Sequence, residues 1–327
     1  MKLKPTLAIV GPTAVGKTAV AIAVAKKING EIIGLDSRQL YRGMSIGTAQ
    51  PSAGELELIP HHLIAIREPH EIVSAGEYST LVEECMAEIR MRGKEPIICG
   101  GAGLYLEALT KGIFADSASD LKIRERLNEE YDQDPAALLI KLQDIDSEYG
   151  RIVHINNKKR LVRALEIFEI TGKSPTEHFN SQTINPSTNH HFCVILLSMD
   201  KQDLKIRICN RTKKMLANNW IEETKALWNK YSVGEVHALD SIGYRQICQY
   251  LVGEYTLEEV EEEIILRTRQ YAKRQLTWFR NRSNSIEIDV KQFESVHNIA
   301  DEIITIWKNI SHPDPNMTGS GSQTMDN

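Results

Sequence analysis

The stretch GPTAVGKT, Gly11 to Thr18, constrains this chain more than any other segment in it. It follows the apolar run TLAIV and precedes AVAIAVAKKI, so strand, glycine loop and helix succeed one another directly. That order and spacing predict a P-loop. In such a loop consecutive backbone N–H groups converge on an anion at a helix N-terminus, where the helix dipole also favours negative charge. The expected diphosphate- or nucleotide-binding residues are therefore Gly11, Pro12, Thr13, Ala14, Val15, Gly16, Lys17 and Thr18, with Lys17 supplying a point charge and the Thr18 hydroxyl a ligand for Mg²⁺. These parts recognise a diphosphate and do not require a nucleotide.

Three apolar runs in the first hundred residues, TLAIV, EIIGLD and EPIICGG, end at a glycine or an acid and are separated by helix-like stretches. A fourth, HFCVILLSMD (His191 to Asp200), follows a long interval and rejoins them. The pattern predicts an α/β fold: a P-loop NTPase-like parallel sheet with flanking helices. Between the third and fourth runs the chain is charged and helically periodic in LKIRERLNEEY, PAALLIKLQDI and NKKRLVRALEIFEITG, the last carrying Leu161, Leu165 and Phe168 on one face and stopping at Gly172. Residues 116–189 thus read as a helical insertion, with 1–115 and 190–311 forming the core. SPTEHFNSQTINPSTNHH is turn-rich and reads as the return linker, and 312–327 has the composition of a disordered tail.

A net charge of −5 argues against an all-over nucleic-acid coat, so the placement of charge matters more than its sum. The five cysteines are scattered, without a Cys-x-x-Cys pair, and read as reduced packing residues. No apolar run approaches a membrane span or a signal peptide, and the expected location is the cytoplasm.

Asp36 ends the second apolar run, at the sheet edge where α/β proteins bind ligands. Position alone leaves three roles open: metal-holding acid, general base or helix cap. Its neighbours Ser37, Arg38 and Gln39 add hydroxyl, guanidinium and amide, a set suited to base edges and phosphates. Gly100, Gly101 and Gly103 in GGAGLYL allow close backbone approach at the same edge. His61 and His62 lack a third ligand at metal spacing and read as capping or packing residues. RTRQYAKRQLTWFRNR, Arg267 to Arg282, holds six basic residues and no acid, just after EEVEEE. Acids first and bases last satisfy a helix's own dipole. Yet Ile265, Ala272, Leu276 and Phe279 fall on one stripe with Arg269, Lys273 and Arg280 along its rim, and Tyr271 and Trp278 interleave as a nucleic-acid surface requires. A second basic cluster, Lys158, Lys159, Arg160 and Arg163, opens a helix whose N-terminus it disfavours, which suits either an anionic partner or a solvated face.

Together GPTAVGKT, DSRQLYRGMSIGTAQP, PHHLI, GGAGLYLEAL, RALEIFEITGKSP, IGYRQ and TRQYAKRQLTWFR resemble the tRNA dimethylallyltransferases, also called tRNA isopentenyltransferases, over about Leu7 to Arg282. The resemblance implies a P-loop core, an insertion that clasps a tRNA anticodon stem-loop, and Mg²⁺-dependent transfer of a dimethylallyl group from its diphosphate to N6 of the adenosine just 3′ of the anticodon. It implies catalytic roles for Asp36 as base and for Lys17 and Arg211 at the diphosphate, and tRNA contacts from Asp36, Ser37, Arg38, Gln39, Ala102, Arg124 and the Lys158 to Arg163 helix. The late basic residues Arg269, Lys273 and Arg280 join these as RNA-binding candidates, and the protein is expected to act as a monomer. Three departures stand out. Ala102 lacks the hydroxyl of the family's usual threonine, Ile155 and Asn157 replace a proline and an aspartate, and the prolines common after the glycine turn are missing. The competing readings are a prenyltransferase acting on free AMP or ATP, an ATP-dependent kinase or NTPase, and a weakened RNA-binding paralogue.

Overall fold

The computed structural model describes residues 4–111, 120–181, 191–231 and 236–311. Six parallel strands form one sheet in the order β3-β2-β4-β1-β5-β6: β1 (Thr6–Val10), β2 (Gly30–Leu35), β3 (His61–His62), β4 (Glu95–Gly100), β5 (Phe192–Ser198) and β6 (Ser285–Asp289). The four apolar runs become β1, β2, β4 and β5. Every residue of β1 and β2 is buried, as expected for parallel strands covered on both faces. Alternation still sorts them. Leu7 and Ile9 face the helices Lys17–Ile28 and Val296–Ser311, while Ala8 and Val10 face the helix Ala75–Met91 and Phe279. β3 and β6 are edge strands that periodicity did not reveal, because two residues, or five in SIEID with exposed positions, carry too little apolar signal.

The register places the site. Val10 pairs with Gly100 and with Leu196, and Leu35 with Gly100, so β1, β2, β4 and β5 reach the same edge together. The loops leaving that edge start side by side.

Close packing divides the chain into two units, residues 1–110 with 188–327, and residues 111–187; the expected insertion was 116–189. In the second unit the helices Leu121–Gln133, Pro135–Ile145 and Ser147–Ile152 are capped in succession by Asp120, Asp134 and Asp146, each accepting backbone N–H bonds. Leu127, Leu138, Leu142, Leu161 and Leu165 make its core. The helix Lys158–Thr171 ends at Gly172 and begins at Asn157, whose side chain accepts from Arg160 N–H. Asparagine caps about as well as aspartate, so that departure from the family leaves the helix start intact. One reading needs correction. The first part of the expected return linker is a helix, Pro175–Ser181. Ser174 and Glu177 bond each other's backbone N–H and proline sits first, a capping box that the turn-rich composition hid. The rest of that linker, residues 182–190, and the tail, 312–327, lie outside the described residues. Among the described residues no helix is long and apolar enough to cross a membrane.

At the amino end of β2, Glu31 is 3% exposed and receives His62 at 2.6 Å, Arg92 at 2.7 Å and Lys94 at 3.0 Å. Burial pushes its carboxyl up, but the hydrogen bonds from Arg92, Lys94 and His62 outweigh this and hold it at about 2, against an ordinary 4.5. A folded-state value below the unfolded one stabilises fully above the unfolded value and ceases to do so as pH falls through the folded one. Denaturant titrations are expected to show the Glu31 contribution, about 3 kcal/mol, disappear between about pH 4.5 and pH 2, with Glu31→Gln flattening that part of the profile.

Candidate functional site

Gly11 leaves β1 at a φ of 151°, and a Cβ there would lie 2.5 Å from the Leu197 carbonyl oxygen on β5. Only glycine fits. Three residues on, Ala14 is left-handed at φ 68°, a conformation costing about 1 kcal/mol or more outside glycine. Side chains from elsewhere hold the loop in this shape. Gln275 accepts from Thr13 N–H at 2.8 Å and donates to Gly101 O at 2.9 Å, tying the P-loop to the glycine turn after β4. Arg211 donates to Thr13 Oγ1 at 3.1 Å, and Arg207, one turn earlier on the helix Lys201–Ala217, to Val15 O at 3.0 Å. Lys17 folds under the loop, its Nζ donating to Gly11 O at 3.0 Å and Pro12 O at 2.8 Å.

Lys17 and Arg211 bring charge to the loop beside Arg207, and neither makes an ion pair among the described residues. Burial pulls the Lys17 amine from 10.5 to about 8; the neighbouring Arg211 lowers it further, while Cys99 and Asp36 oppose the fall. Burial likewise lowers Arg211, against the pull of Asp36. Two partly desolvated cations beside the N-terminus of the helix Lys17–Ile28 suit a multiply charged anion.

Asp36 follows β2, and its Oδ1 accepts Arg38 N–H at 2.8 Å and Gln39 N–H at 3.3 Å. This is a turn cap rather than a helix cap, and among the described residues neither Asp36 Oδ2 nor Thr18 Oγ1 takes a hydrogen bond. No group of three or more His, Cys, Asp or Glu side chains converges among the described residues. Thr18 and Asp36 nonetheless supply the hard oxygen atoms that suit Mg²⁺, which keeps several waters and takes few protein ligands. His61 and His62 hold no metal-like geometry: His61 Nδ1 meets Ile59 O at 2.8 Å and His62 joins Glu31.

The glycine turn admits a close neighbour, as expected, and that neighbour is a helix. Cβ atoms on Gly101 and Gly103 would lie 2.2 Å from Gln275 Nε2 and 2.4 Å from the Trp278 ring, so these glycines admit the helix Leu257–Arg282. Ala102 lies beside them, half-buried against the apolar cluster of Leu35, Phe279 and Trp278. On that helix Ala272 and Phe279 are buried as expected, and Gln275 shares the stripe.

The expected RNA-binding cations separate into two kinds. Lys273 is exposed and Arg269 half-buried, both without ion pairs among the described residues. Arg280 is instead held by Glu287 of β6, at 3.0 Å and 2.6 Å, a partner hidden with the strand that carries it. Gln39 spends its amide N–H groups on Thr48 O and Ala49 O, and Arg38 donates to the His237 carbonyl at 3.3 Å. Ser37 is half-buried beside them. In the second unit Arg124 and Arg163 both bond Glu166, which is fully buried, and Lys158 pairs with Asp132 at 2.6 Å. Lys159 and Arg160 remain exposed and unpaired.

Sequence reasoning missed Gln275 and Arg207. Arg207 was detectable from its i, i+4 spacing to Arg211, which puts both on one helix face. Gln275, one amide in a basic run, carried no such signal.

The family model described as IPP transferase matches residues 39–282. A tRNA dimethylallyltransferase of Halalkalibacterium halodurans is 38% identical over 303 residues, 89% of this chain and 95% of that protein. That of Bacillus subtilis is 40% identical over 281 residues, 85% and 88%. Among solved structures, the full-length tRNA isopentenylpyrophosphate transferase of Bacillus halodurans has a TM-score of 0.67 at 36% identity, covering 94% of this chain and 98% of that one. A eukaryotic dimethylallyltransferase acting on tRNA scores 0.77 at 29% identity, covering 94% and 79%.

With burial pulling the Lys17 amine down to about 8, its share of anion affinity is expected to fade above that pH. Calorimetry with inorganic diphosphate on the native protein and Lys17→Met cancels the ligand's own titration. The affinity ratio between them should be greatest below pH 8 and fall by up to about tenfold per unit above it.

Proposed function

The chain belongs to the IPP transferase family, and we propose that it transfers a dimethylallyl group from dimethylallyl diphosphate to N6 of the adenosine just 3′ of a tRNA anticodon, releasing diphosphate. One observation carries this reading: Lys17 and Arg211, partly buried and without an ion pair among the described residues, flank a P-loop at the same sheet edge as a carboxylate with a free oxygen. A kinase reading also accounts for the loop and, with Asp36 as a metal-holding acid, for the carboxylate; prenyl transfer is preferred because relatives named tRNA dimethylallyltransferase align with most of the chain.

The exocyclic amine of adenine is a weak nucleophile, because its lone pair is delocalised into the ring. As N6 forms its bond to the allylic carbon, the carbon–oxygen bond to diphosphate breaks and one N6 proton must leave. Asp36 Oδ2 takes that proton, while Oδ1 stays engaged with Arg38 and Gln39 N–H and fixes the carboxylate plane. The leaving diphosphate keeps the bonding electrons, and the loop N–H groups, Lys17 and Arg211 stabilise its growing charge. Thr18 would hold Mg²⁺ through its hydroxyl, and the ion would supply further neutralisation of that charge. The adenine reaches the site by leaving its stack.

RNA contacts are assigned to Asp36, Ser37, Arg38, Gln39 and Ala102 at the sheet edge and to Arg269 and Lys273 on the late helix, with Lys159 and Arg160 serving in the second unit. Arg280, Arg124, Arg163 and Lys158 act first as structural ion-pair partners, and contribute to RNA binding through the surfaces they shape. The stem-loop is the recognised element, and the enzyme works as a monomer in the cytoplasm, where tRNA is modified. Transfer to free AMP is disfavoured, since relatives named tRNA dimethylallyltransferase align with most of the chain.

Labelled dimethylallyl diphosphate offered with an anticodon stem-loop or with AMP tests the substrate; label is expected in the RNA, and transfer to AMP alone would overturn the reading. Asp36→Asn keeps the turn through its amide oxygen, so kcat should fall by about a hundredfold or more with RNA affinity little changed. Arg269→Ala with Lys273→Ala should weaken stem-loop binding and lower the slope of log affinity against log salt by about 0.7 to 0.9 for each lost phosphate contact.

A further inference from the structure

Residues 36–50 leave β2 as a loop, DSRQLYRGMSIGTAQ, whose two arms are stitched together. Gln39 Nε2 donates to Thr48 O at 3.0 Å and Ala49 O at 2.8 Å, and Gln50 Nε2 donates back to Gln39 O at 2.9 Å and Tyr41 O at 2.8 Å. The tip of this loop meets one carboxylate. Glu223, on the helix Trp220–Lys230, accepts Ser45 Oγ at 3.0 Å and Ile46 N–H at 2.8 Å through Oε2, and Gly47 N–H at 3.0 Å and the Tyr244 hydroxyl at 2.6 Å through Oε1. A Cβ on Gly47 would lie 2.1 Å from Trp220 Nε1, so the tip is seated directly on that buried ring.

We infer that Glu223, which touches neither the P-loop nor Asp36, is a positioning residue that sets the pose of Asp36 and of the Ser37 to Gln39 segment. The route is short: Glu223 holds the tip, the tip carries the Thr48 and Ala49 carbonyls, those carbonyls hold the Gln39 side chain, and Gln39 N–H bonds Asp36 Oδ1 at 3.3 Å. The chemistry requires an anion. Four donors point at one group, and each carboxylate oxygen faces one backbone N–H. In Glu223→Gln the hydroxyls of Ser45 and Tyr244 can rotate to accept, but the amide NH₂ faces a backbone N–H whichever way it turns. One part-buried N–H then loses its acceptor to an opposing donor, and the tip must shift.

The catalytic part of this inference rests on the proposed prenyl transfer, so its test has two arms. Native protein, Glu223→Gln and the control Glu222→Gln, an exposed neighbour, are compared for stem-loop prenylation, for inorganic diphosphate affinity and for amide hydrogen exchange. In Glu223→Gln, kcat is expected to fall at least tenfold with diphosphate Kd within twofold of native, and Arg38 and Gln39 amides to exchange at least tenfold faster. Glu222→Gln should match the native protein throughout. A kcat within twofold of native, or a parallel loss of diphosphate affinity that marks general loosening, would overturn the inference. Should the native protein transfer nothing to RNA, the proposed function fails and exchange alone decides: faster Arg38 and Gln39 exchange sustains the positioning role, and unchanged exchange overturns it. Glu223→Asp keeps the charge but shortens the reach, and the same losses are expected from it if the Gln variant does not fold.

Discussion

Val10, Leu35, Gly100 and Leu196 stand in register across four neighbouring strands, and the site depends on that alignment. Strands that end together release their loops into the same space, where backbone must pack on backbone. A Cβ at Gly100 would lie 2.0 Å from Leu35 O, just as one at Gly11 would strike Leu197 O. The crowding excludes side chains from the floor of the site and brings the P-loop, the Asp36 turn and the glycine turn within reach of one another. Gln275 then closes the arrangement from outside, with one amide satisfying both Thr13 N–H and Gly101 O.

Charge is disposed in two contrasting ways. Glu31 and Glu166 are buried carboxylates surrounded by cations, and their ion pairs belong to the scaffold. Lys17 and Arg211 are desolvated cations with no carboxylate in contact, and burial lowers both. Removing a charge from water without a partner is unfavourable, so such a pair persists where an arriving anion completes it. The difference between scaffold and site lies in whether the counter-charge is already built in.

Much of this was legible in sequence where a local rule governs. The glycine loop, the four internal strands and the helical insertion follow from spacing and periodicity within short windows. So did Asp36, because a carboxylate closing an apolar run falls at the ligand edge. The helix Pro175–Ser181 was misread although SPTE carries a capping box, since composition was weighed above the paired side chains. Trp278 and Tyr271 were read as RNA-facing aromatics, yet Trp278 packs over Gly103 and belongs as much to the core. For Arg280 and Arg124 the missing fact was a partner on another element, whereas Arg163 pairs with Glu166 one turn on in its own helix.

By itself, then, the sequence determined the glycine loop between β1 and the helix Lys17–Ile28, the strand that presents Asp36 and the class of fold, because each depends on residues a few positions apart. Tertiary structure alone decided which of many similar cations are spent on carboxylates and which stay free. It also decided that Gln275 and Glu223, unremarked in their own helices, brace the loops of the site. A charge or an amide has no fixed role until folding supplies or withholds its partner, and that partner comes from residues hundreds of positions distant as readily as from the next turn.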